Sequence, residues 1–224
     1  MIARIELLEG RTEIKYSVGS SIKEKSVRTS DLLSSLTNYI GIATPLLPPN
    51  TRMVINKKDG ITLIIEVPPS IRKLSYIAGS KKIFDRVNFP FPWELWKIEL
   101  INRPGKGYTF ARAHVFALKN PIMTKEDRLY SFPTPNVGGG NGAICFGSAM
   151  SSSNMSNIDN LVQAYRFITI FHDAEFNTDL HPSLKNNERF EDLVRRLQDK
   201  PTFDYESLLE KTPLYTILEG GAED

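Results

Sequence analysis

The 224-residue sequence contains a single cysteine, Cys145, and only three histidines. One thiol cannot form an internal disulfide, and it cannot build a zinc site that needs several cysteines. Any special role of Cys145 is therefore that of a lone thiol, which makes its neighbourhood the place to search for chemistry. We expect neither a metal nor an organic cofactor.

Long hydrophobic runs and strong charge are also missing. The apolar segment Ile61–Val67 is far shorter than the ~20 residues of a membrane helix, and the start of the chain lacks a signal-peptide pattern. The formal net charge is +2, and basic pairs such as Arg195-Arg196 are too sparse to follow a phosphate backbone. We expect a cytoplasmic protein that binds neither nucleic acid nor a membrane.

The composition is that of a globular protein, with 41% hydrophobic and 24% charged residues. This length predicts one domain over residues 1–224. Within it we expect an N-terminal hairpin and helix over 1–45, a core over 46–182 and a helical extension over 183–224.

Pairs of strand-like segments, each joined by a short turn, predict three hairpins. The pairs are Ile2–Leu8 with Thr12–Val18, Arg52–Asn56 with Ile61–Val67, and Trp93–Asn102 with Tyr108–Leu118. The second turn contains Asp59-Gly60 and the third contains Pro104-Gly105, which are typical of tight reversals. The middle of the chain is therefore expected to be an antiparallel meander.

Helical spacing of apolar residues predicts helices on both sides of this meander. One begins after Ser30 and ends near Gly41, and a longer one covers 158–171 with Asn157 as its N-cap. Two more are expected at Glu188–Leu197 and Tyr205–Leu209. Strands followed by segregated helices predict an α+β fold.

Between the meander and the helices lies a long segment, 121–156, rich in proline, glycine and serine. Segments of this kind in compact domains are usually functional or disordered. It contains Cys145 after a glycine-rich reversal, where glycines leave the backbone uncovered. A thiol exchanges acyl groups without a strong base, because an ordinary cysteine with a pKa of ~8.5 is partly ionised at neutral pH.

The segment from Pro135-Asn136-Val137 to Gly142-Ala143-Ile144-Cys145 resembles the His-Pro-Asn to catalytic-cysteine segment of ubiquitin-conjugating enzymes. More closely, the chain resembles the prokaryotic family D of that superfamily, typified by protein B of the PRTRC cassettes. The further matching pieces are Leu47–Thr51 and the stretch from Phe171 to His181. The resemblance spans roughly Leu46 to Pro182.

Two departures from the classical pattern stand in this segment. Thr134 occupies the position of the classical histidine, which supports the loop in those enzymes. The excursion between Asn136 and Cys145 is also one residue longer than the classical spacing.

The resemblance implies a ubiquitin-conjugating-like α+β fold, with an antiparallel meander, flanking helices and a long active-site loop. It implies that Cys145 accepts a ubiquitin-like protein as a thioester from a ThiF-type adenylating enzyme and passes it to an amine. Asn136 would then act as oxyanion donor or loop stabiliser, as a side-chain amide can. Support of the loop would come from Thr134, Pro135, Gly142 and Gly147. A JAB-type protease would be a further partner encoded in the same cassette.

Other interpretations of the same residues stay open. Cys145 could be a small buried hydrophobic residue, and Asn136 an ordinary turn residue. The whole chain could be a catalytically silent binding module that keeps the fold to dock a modifier or an adenylating partner. It could also be a thiol hydrolase, if His181 approached Cys145 in space and lowered its pKa.

Overall fold

The computed structural model describes residues 3–8, 10–18, 21–32, 45–138, 140–150 and 156–219. The chain divides into two compact units, Met1–Pro45 and Leu46–Asp224. The sequence predicts a boundary at the same position, between the N-terminal hairpin and helix and the core. That both units belong to one domain stays a prediction.

The first unit contains a three-stranded antiparallel sheet of β1 (Ala3–Leu8), β2 (Arg11–Val18) and β3 (Ser21–Arg28). The predicted opening hairpin corresponds to β1 and β2. The third strand was not predicted, because it is exposed almost throughout and carries little of the apolar alternation that indicates a strand. Residues 29–32 are helical, and the rest of the helix predicted up to Gly41 lies outside the described residues.

The second unit is built on a seven-stranded antiparallel sheet with a separate two-stranded hairpin. Its strands in chain order are β4 (Thr51–Lys57), β5 (Gly60–Val67), β6 (Ser70–Ala78), β7 (Lys81–Phe91), β8 (Trp93–Arg103), β9 (Gly107–Leu118), β10 (Arg128–Tyr130), β11 (Asn157–Ile158) and β12 (Glu210–Pro213). The order across the large sheet is β12-β10-β9-β8-β5-β4, and β11 pairs with the other end of β9.

The predicted meander is confirmed in its two central hairpins. Lys57 pairs with Gly60 across the first turn, and Arg103 pairs with Gly107 across the second. The hairpin of β6 and β7 was not predicted, because Pro90 and its neighbouring prolines interrupt the strand pattern there.

The α-helices described in the second unit are α1 (Tyr165–Asp173), α2 (Phe190–Leu197) and α3 (Leu214–Glu219). The prediction of one helix over 158–171 was wrong in its first half. Ile158 pairs with Tyr108 in the sheet, and a 3-10 turn at Leu161–Ala164 precedes α1. The predicted cap Asn157 therefore lies in β11, and Asn160 caps the 3-10 turn instead.

The C-terminal part of the chain also differs from its prediction. The segment expected to be helical at Tyr205–Leu209 forms only a 3-10 turn, Tyr205–Ser207, in which Asp204 accepts a hydrogen bond from the Glu206 amide. The strand β12 and the helix α3 that follow were not predicted. None of the described helices is long and apolar enough to span a membrane.

The large sheet buries apolar residues on both faces. Trp96, Ile98 and Val115 belong to the main core, which also contains Phe171 of α1 and Leu193 of α2. A smaller cluster on the other face joins Ile64, Leu95 and Phe116 to Leu214 of α3. The second unit is therefore a mostly antiparallel sheet with a few helices, an α+β fold in agreement with the sequence.

Candidate functional site

The segment that leads to Cys145 starts inside the core. Residues 131–137 are buried without interruption, and the Phe132 ring packs near those of Phe91 and Phe171. This apolar anchor fixes the start of the glycine-rich excursion in the core.

The excursion itself is a tight hairpin, here called the Cys hairpin, over residues 136–145. Val137 pairs with Ile144, the Cys145 amide donates to the Asn136 carbonyl at 2.8 Å, and the Gly138 amide donates to the Ala143 carbonyl at 2.7 Å. Glycine and asparagine supply the reversal between these pairs. The hairpin brings Asn136 and Cys145 side by side, although nine positions separate them in the sequence.

The Cys hairpin is attached to the edge of β9 by main-chain hydrogen bonds. The Ile144 amide donates to the Ala113 carbonyl at 3.0 Å, and the Val115 amide donates to the Gly142 carbonyl at 2.9 Å. Gly142 has a φ of 72°, and a Cβ at this position would lie 2.7 Å from the Val115 carbonyl oxygen. Glycine at position 142 thus permits the close approach of the hairpin backbone to β9.

Cys145 is exposed, so the interpretation of this thiol as a buried hydrophobic residue is wrong. Its two neighbours, Ile144 and Phe146, both pack against the main core. The Phe146 ring lies 5.4 Å from the Phe110 ring, edge to face. Because side chains alternate along an extended segment, anchoring both neighbours turns the thiol outward.

The thiol opens on a cleft of about 350 Å³ between the Cys hairpin and the segment after α1. One wall consists of the hairpin residues, and the other carries two carboxylates. The lining residues are Asn136, Cys145, Phe146, Gly147, Ala174, Glu175, Asn177 and Asp179. No lysine, arginine or histidine is among these described lining residues.

Asn136 joins the two walls of the cleft. Its side chain is 8% exposed, its Oδ1 accepts from the Asn177 amide at 3.3 Å, and its Nδ2 donates to the Glu175 carbonyl at 3.5 Å. Its φ of 64° lies in the left-handed region, where asparagine is favoured among residues other than glycine. Asn136 therefore stabilises the hairpin, and its role as oxyanion donor stays a prediction.

Thr134 and Pro135 are both buried. The Thr134 hydroxyl has no hydrogen-bond partner within the part of the chain that the structure describes. A buried hydroxyl without a partner costs stability. Thr134 thus contributes no side-chain hydrogen bond to the described residues.

Gly147 follows Cys145 by two residues and has a φ of 53°. A Cβ at this position would meet no atom within 4 Å, so the backbone conformation alone favours glycine there. Gly147 lines the same cleft as Cys145.

All three histidines lie elsewhere than in the cleft. His181 lines a separate groove with Tyr76 and Glu191, His114 contacts the Asn141 carbonyl, and His172 is buried against Glu94 at 3.0 Å. The thiol hydrolase interpretation required an imidazole beside Cys145, and none lines the described cleft. The position of His181 therefore gives no support to a role near the thiol.

The second wall of the cleft was not predicted from the sequence. Asn177 and Asp179 form a local turn, in which the Asp179 amide donates to Asn177 Oδ1 and Asn177 Nδ2 donates to Asp179 Oδ2, both at 2.9 Å. Glu175 pairs with Lys82 of β7 at 3.2 Å. The Asn-Thr-Asp pattern signals a turn, but only the fold shows that this turn faces Cys145.

Among the described residues no group of three or more His, Cys, Asp or Glu side chains is arranged to hold a metal ion.

A sequence model of the family described as Prokaryotic E2 family D matches residues 45–211. The chain belongs to prokaryotic E2 family D. This match confirms the resemblance seen in the sequence, and it extends further along the chain than Pro182. No curated protein matches the chain, and no solved structure matches it.

The longer match in family D agrees with the packing of the C-terminal segment. Leu184, Phe190 and Leu208 are all at most 5% exposed and belong to the main core. Residues after 183 thus contribute to the core, although the sequence places them in a helical extension beyond it. Helical periodicity located α2, but it carried no information on which surface α2 covers.

Proposed function

We propose that this protein is a ubiquitin-conjugating-like acyl carrier. It takes a ubiquitin-like protein from a ThiF-type adenylating enzyme as a thioester on Cys145 and transfers it to an amine. The observation that supports this most directly is the exposed thiol of Cys145, which stands at the mouth of a cleft on a hairpin anchored to the sheet. Membership of family D supports the same proposal.

The chemistry consists of two exchanges. The thiolate of Cys145 attacks the activated C-terminal carbonyl of the modifier, a thioester forms, and the carrier thiol or AMP of the adenylating enzyme leaves. A neutral amine then attacks the thioester, so that an amide forms and the Cys145 thiolate is released. The proton lost by the amine passes to solvent or to a cleft carboxylate.

The second wall of the cleft favours a cationic acceptor. Glu175 and Asp179 place two carboxylates beside the thiol; Lys82 pairs with Glu175 at 3.2 Å, but no cationic side chain is among the described residues that line the cleft. Opposite charge in a cleft raises the local concentration of a charged partner. We therefore expect an ammonium group, such as that of a lysine side chain, to be attracted before it loses its proton and attacks.

The test is to incubate the protein with the ThiF-type enzyme of its own genomic neighbourhood, ATP and candidate ubiquitin-like proteins. Intact-mass spectrometry should show one modifier added, and a thiol reductant should release it. Cys145→Ala should abolish the adduct, whereas Cys145→Ser should form an oxygen ester that resists the reductant. Glu175→Gln should leave thioester formation unchanged and slow transfer to a lysine-containing peptide.

A second candidate is a catalytically silent binding module of the same fold, in which the loop has lost the residues that support its chemistry. Two observations favour it: Thr134 replaces the classical histidine, and the side-chain amide of Asn136 already contacts the segment 175–177. In one outcome, the adenylating enzyme itself carries the modifier and forms a stable complex with this protein while Cys145 gains no adduct. That result would make the binding module the better account. A JAB-type protease from the same cassette would then be a partner to test in the same binding assay.

A further inference from the structure

A second pocket, here called the rear pocket, lies behind the tip of the Cys hairpin and has a volume of about 400 Å³. Three distant parts of the chain meet there: the outer face of β8 and β9, the hairpin tip, and the segment from β12 to α3. Its lining includes Lys97, His114, Phe116, Asn141, Lys211 and Ile217. It shares no residue with the described cleft of Cys145.

The floor of the rear pocket is apolar. Phe116 is 3% exposed and belongs to the smaller hydrophobic cluster, against which Ile217 of α3 packs. An aromatic ring and an aliphatic side chain that already sit in a packed cluster form a rigid surface. This floor favours the apolar body of a ligand.

Two lysines line the rear pocket. Lys97 Nζ belongs to a side chain that is 10% exposed; it donates to the Ile217 carbonyl at 2.9 Å and lies 3.4 Å from Glu99 Oε1. Lys211 adds a second ammonium group, and no carboxylate is among the described residues that line the pocket. An ammonium group has three donors, so Lys97 keeps one donor beyond Ile217 and Glu99, and Lys211 supplies the charge that favours an anionic head group.

Neutral polar groups complete the site. Asn141 Oδ1 accepts from the Ala143 amide at 3.0 Å, and its two amide hydrogens make no bond to the described part of the chain, so a ligand can accept them. His114 Nδ1 lies 3.1 Å from the Asn141 carbonyl, and burial lowers the pKa of this imidazole.

We propose that the rear pocket binds a small carboxylate with an apolar body. Its volume falls within the range of small-molecule sites, about 300–1,000 Å³, and its mixture of apolar floor and few converging polar groups is typical of them. Such a ligand contacts Asn141, which lies between Asn136 and Cys145 in the Cys hairpin. This binding does not depend on acyl transfer, because it takes place on the side of the hairpin away from the cleft.

Isothermal titration calorimetry with octanoate, below its micellar concentration, tests the proposal on the full chain. We expect saturable binding of one octanoate per chain. Lys211→Met should weaken it about tenfold, since it removes one charge-assisted contact. Asn141→Asp should weaken it at least as much, because it keeps the acceptor for the Ala143 amide and adds a negative charge to the pocket.

The matched control is Lys200→Met, which removes the same charge from an exposed position outside the pocket and should leave octanoate binding unchanged. Octan-1-ol and octylamine test the requirement for an anionic head and should bind at least tenfold more weakly. Thermal unfolding checks that each variant folds. If one of the two pocket variants does not fold, the other still tests the proposal. Absence of saturable octanoate binding, undiminished binding in both pocket variants, or equal binding of octylamine would overturn the proposal.

Discussion

Asn136 combines two properties that are separable at the scale of one residue. Its backbone is left-handed, with φ at 64°, and its side chain ties the Cys hairpin to the Glu175 carbonyl and the Asn177 amide. Glycine accepts such a φ without steric cost, whereas alanine does not. Comparing Asn136→Gly with Asn136→Ala therefore separates the contribution of the side-chain amide to stability from that of the backbone conformation.

We predict that Asn136→Gly lowers the free energy of unfolding by about 1 kcal/mol, through the lost side-chain hydrogen bonds. Asn136→Ala should lower it by about 2 kcal/mol, because the left-handed backbone adds its own cost. Urea unfolding of both variants measures the difference. Equal losses in the two variants would mean that the backbone conformation relaxes freely.

Glu99 is a carboxylate with a strongly perturbed pKa. Burial acts to raise its pKa, but hydrogen bonds from Lys57 and Arg112 and the charge of Lys97 outweigh this and lower the pKa from 4.5 to about 2. The side chain is 11% exposed and its partners Lys57 and Arg112 are much more so. Solvent therefore screens part of the interaction.

A carboxyl group whose pKa is lower in the folded than in the unfolded state stabilises the fold at pH values above its unfolded pKa. This stability is lost as the pH falls toward the folded pKa. We predict that the wild-type protein exceeds Glu99→Gln in free energy of unfolding by about 1–2 kcal/mol at neutral pH, after a discount for screening. The difference should shrink between pH 4.5 and about 2. Urea unfolding at several pH values measures it, and a difference that does not depend on pH would contradict the assignment.

At the scale of the element, the Cys hairpin depends on its contact with β9. At Gly142 the two backbones approach closely, because a Cβ there would lie 2.7 Å from the Val115 carbonyl oxygen and 3.0 Å from the Phe116 ring. Gly140 lies two residues earlier in the same hairpin, and a Cβ there meets no atom within 4 Å. The two glycines form a matched pair within one element.

We predict that Gly142→Ala destabilises the protein by about 2–4 kcal/mol, because a left-handed φ and a backbone clash act together. Gly140→Ala should change the free energy of unfolding by no more than about 0.5 kcal/mol. Gly142→Ala should also change the rate at which iodoacetamide alkylates Cys145, since the hairpin must move away from β9. If both substitutions leave that rate unchanged, the contact with β9 does not position the thiol.

At the scale of the whole molecule, the described hydrophobic clusters lie entirely within the unit Leu46–Asp224. Their members include residues on both sides of Pro182, among them Leu193 and Val194 of α2, which are 0% exposed. The core therefore needs the segment after Pro182, whereas it contains no described residue from the first unit.

We predict that a chain of residues 46–224 unfolds cooperatively, and that a chain of residues 46–182 does not fold. Loss of α2 and of Leu208 would expose a large part of the main core, at about 1.5–3 kcal/mol for each large side chain. Circular dichroism in the near ultraviolet and urea titration of both chains measure this. Cooperative unfolding of 46–182 would contradict a core that depends on α2.

The sequence by itself determined the local features. Turn chemistry at Asp59-Gly60 and Pro104-Gly105 predicted two hairpins, because such turns depend on backbone preferences of a few adjacent residues. The composition around Cys145 indicated a tight reversal with an accessible thiol for the same reason. The family followed from these residues as well.

Only the tertiary structure decided which residues face one another. Pairing with β9 placed Ile158 in a strand although its spacing was helical, because burial against a sheet overrides periodicity. Glu175, Asn177 and Asp179 reach the cleft through the position of α1, about 40 positions after Asn136 in the chain. The absence of histidine from the described cleft was decided in the same way, since side chains distant in sequence meet only where the core brings their elements together.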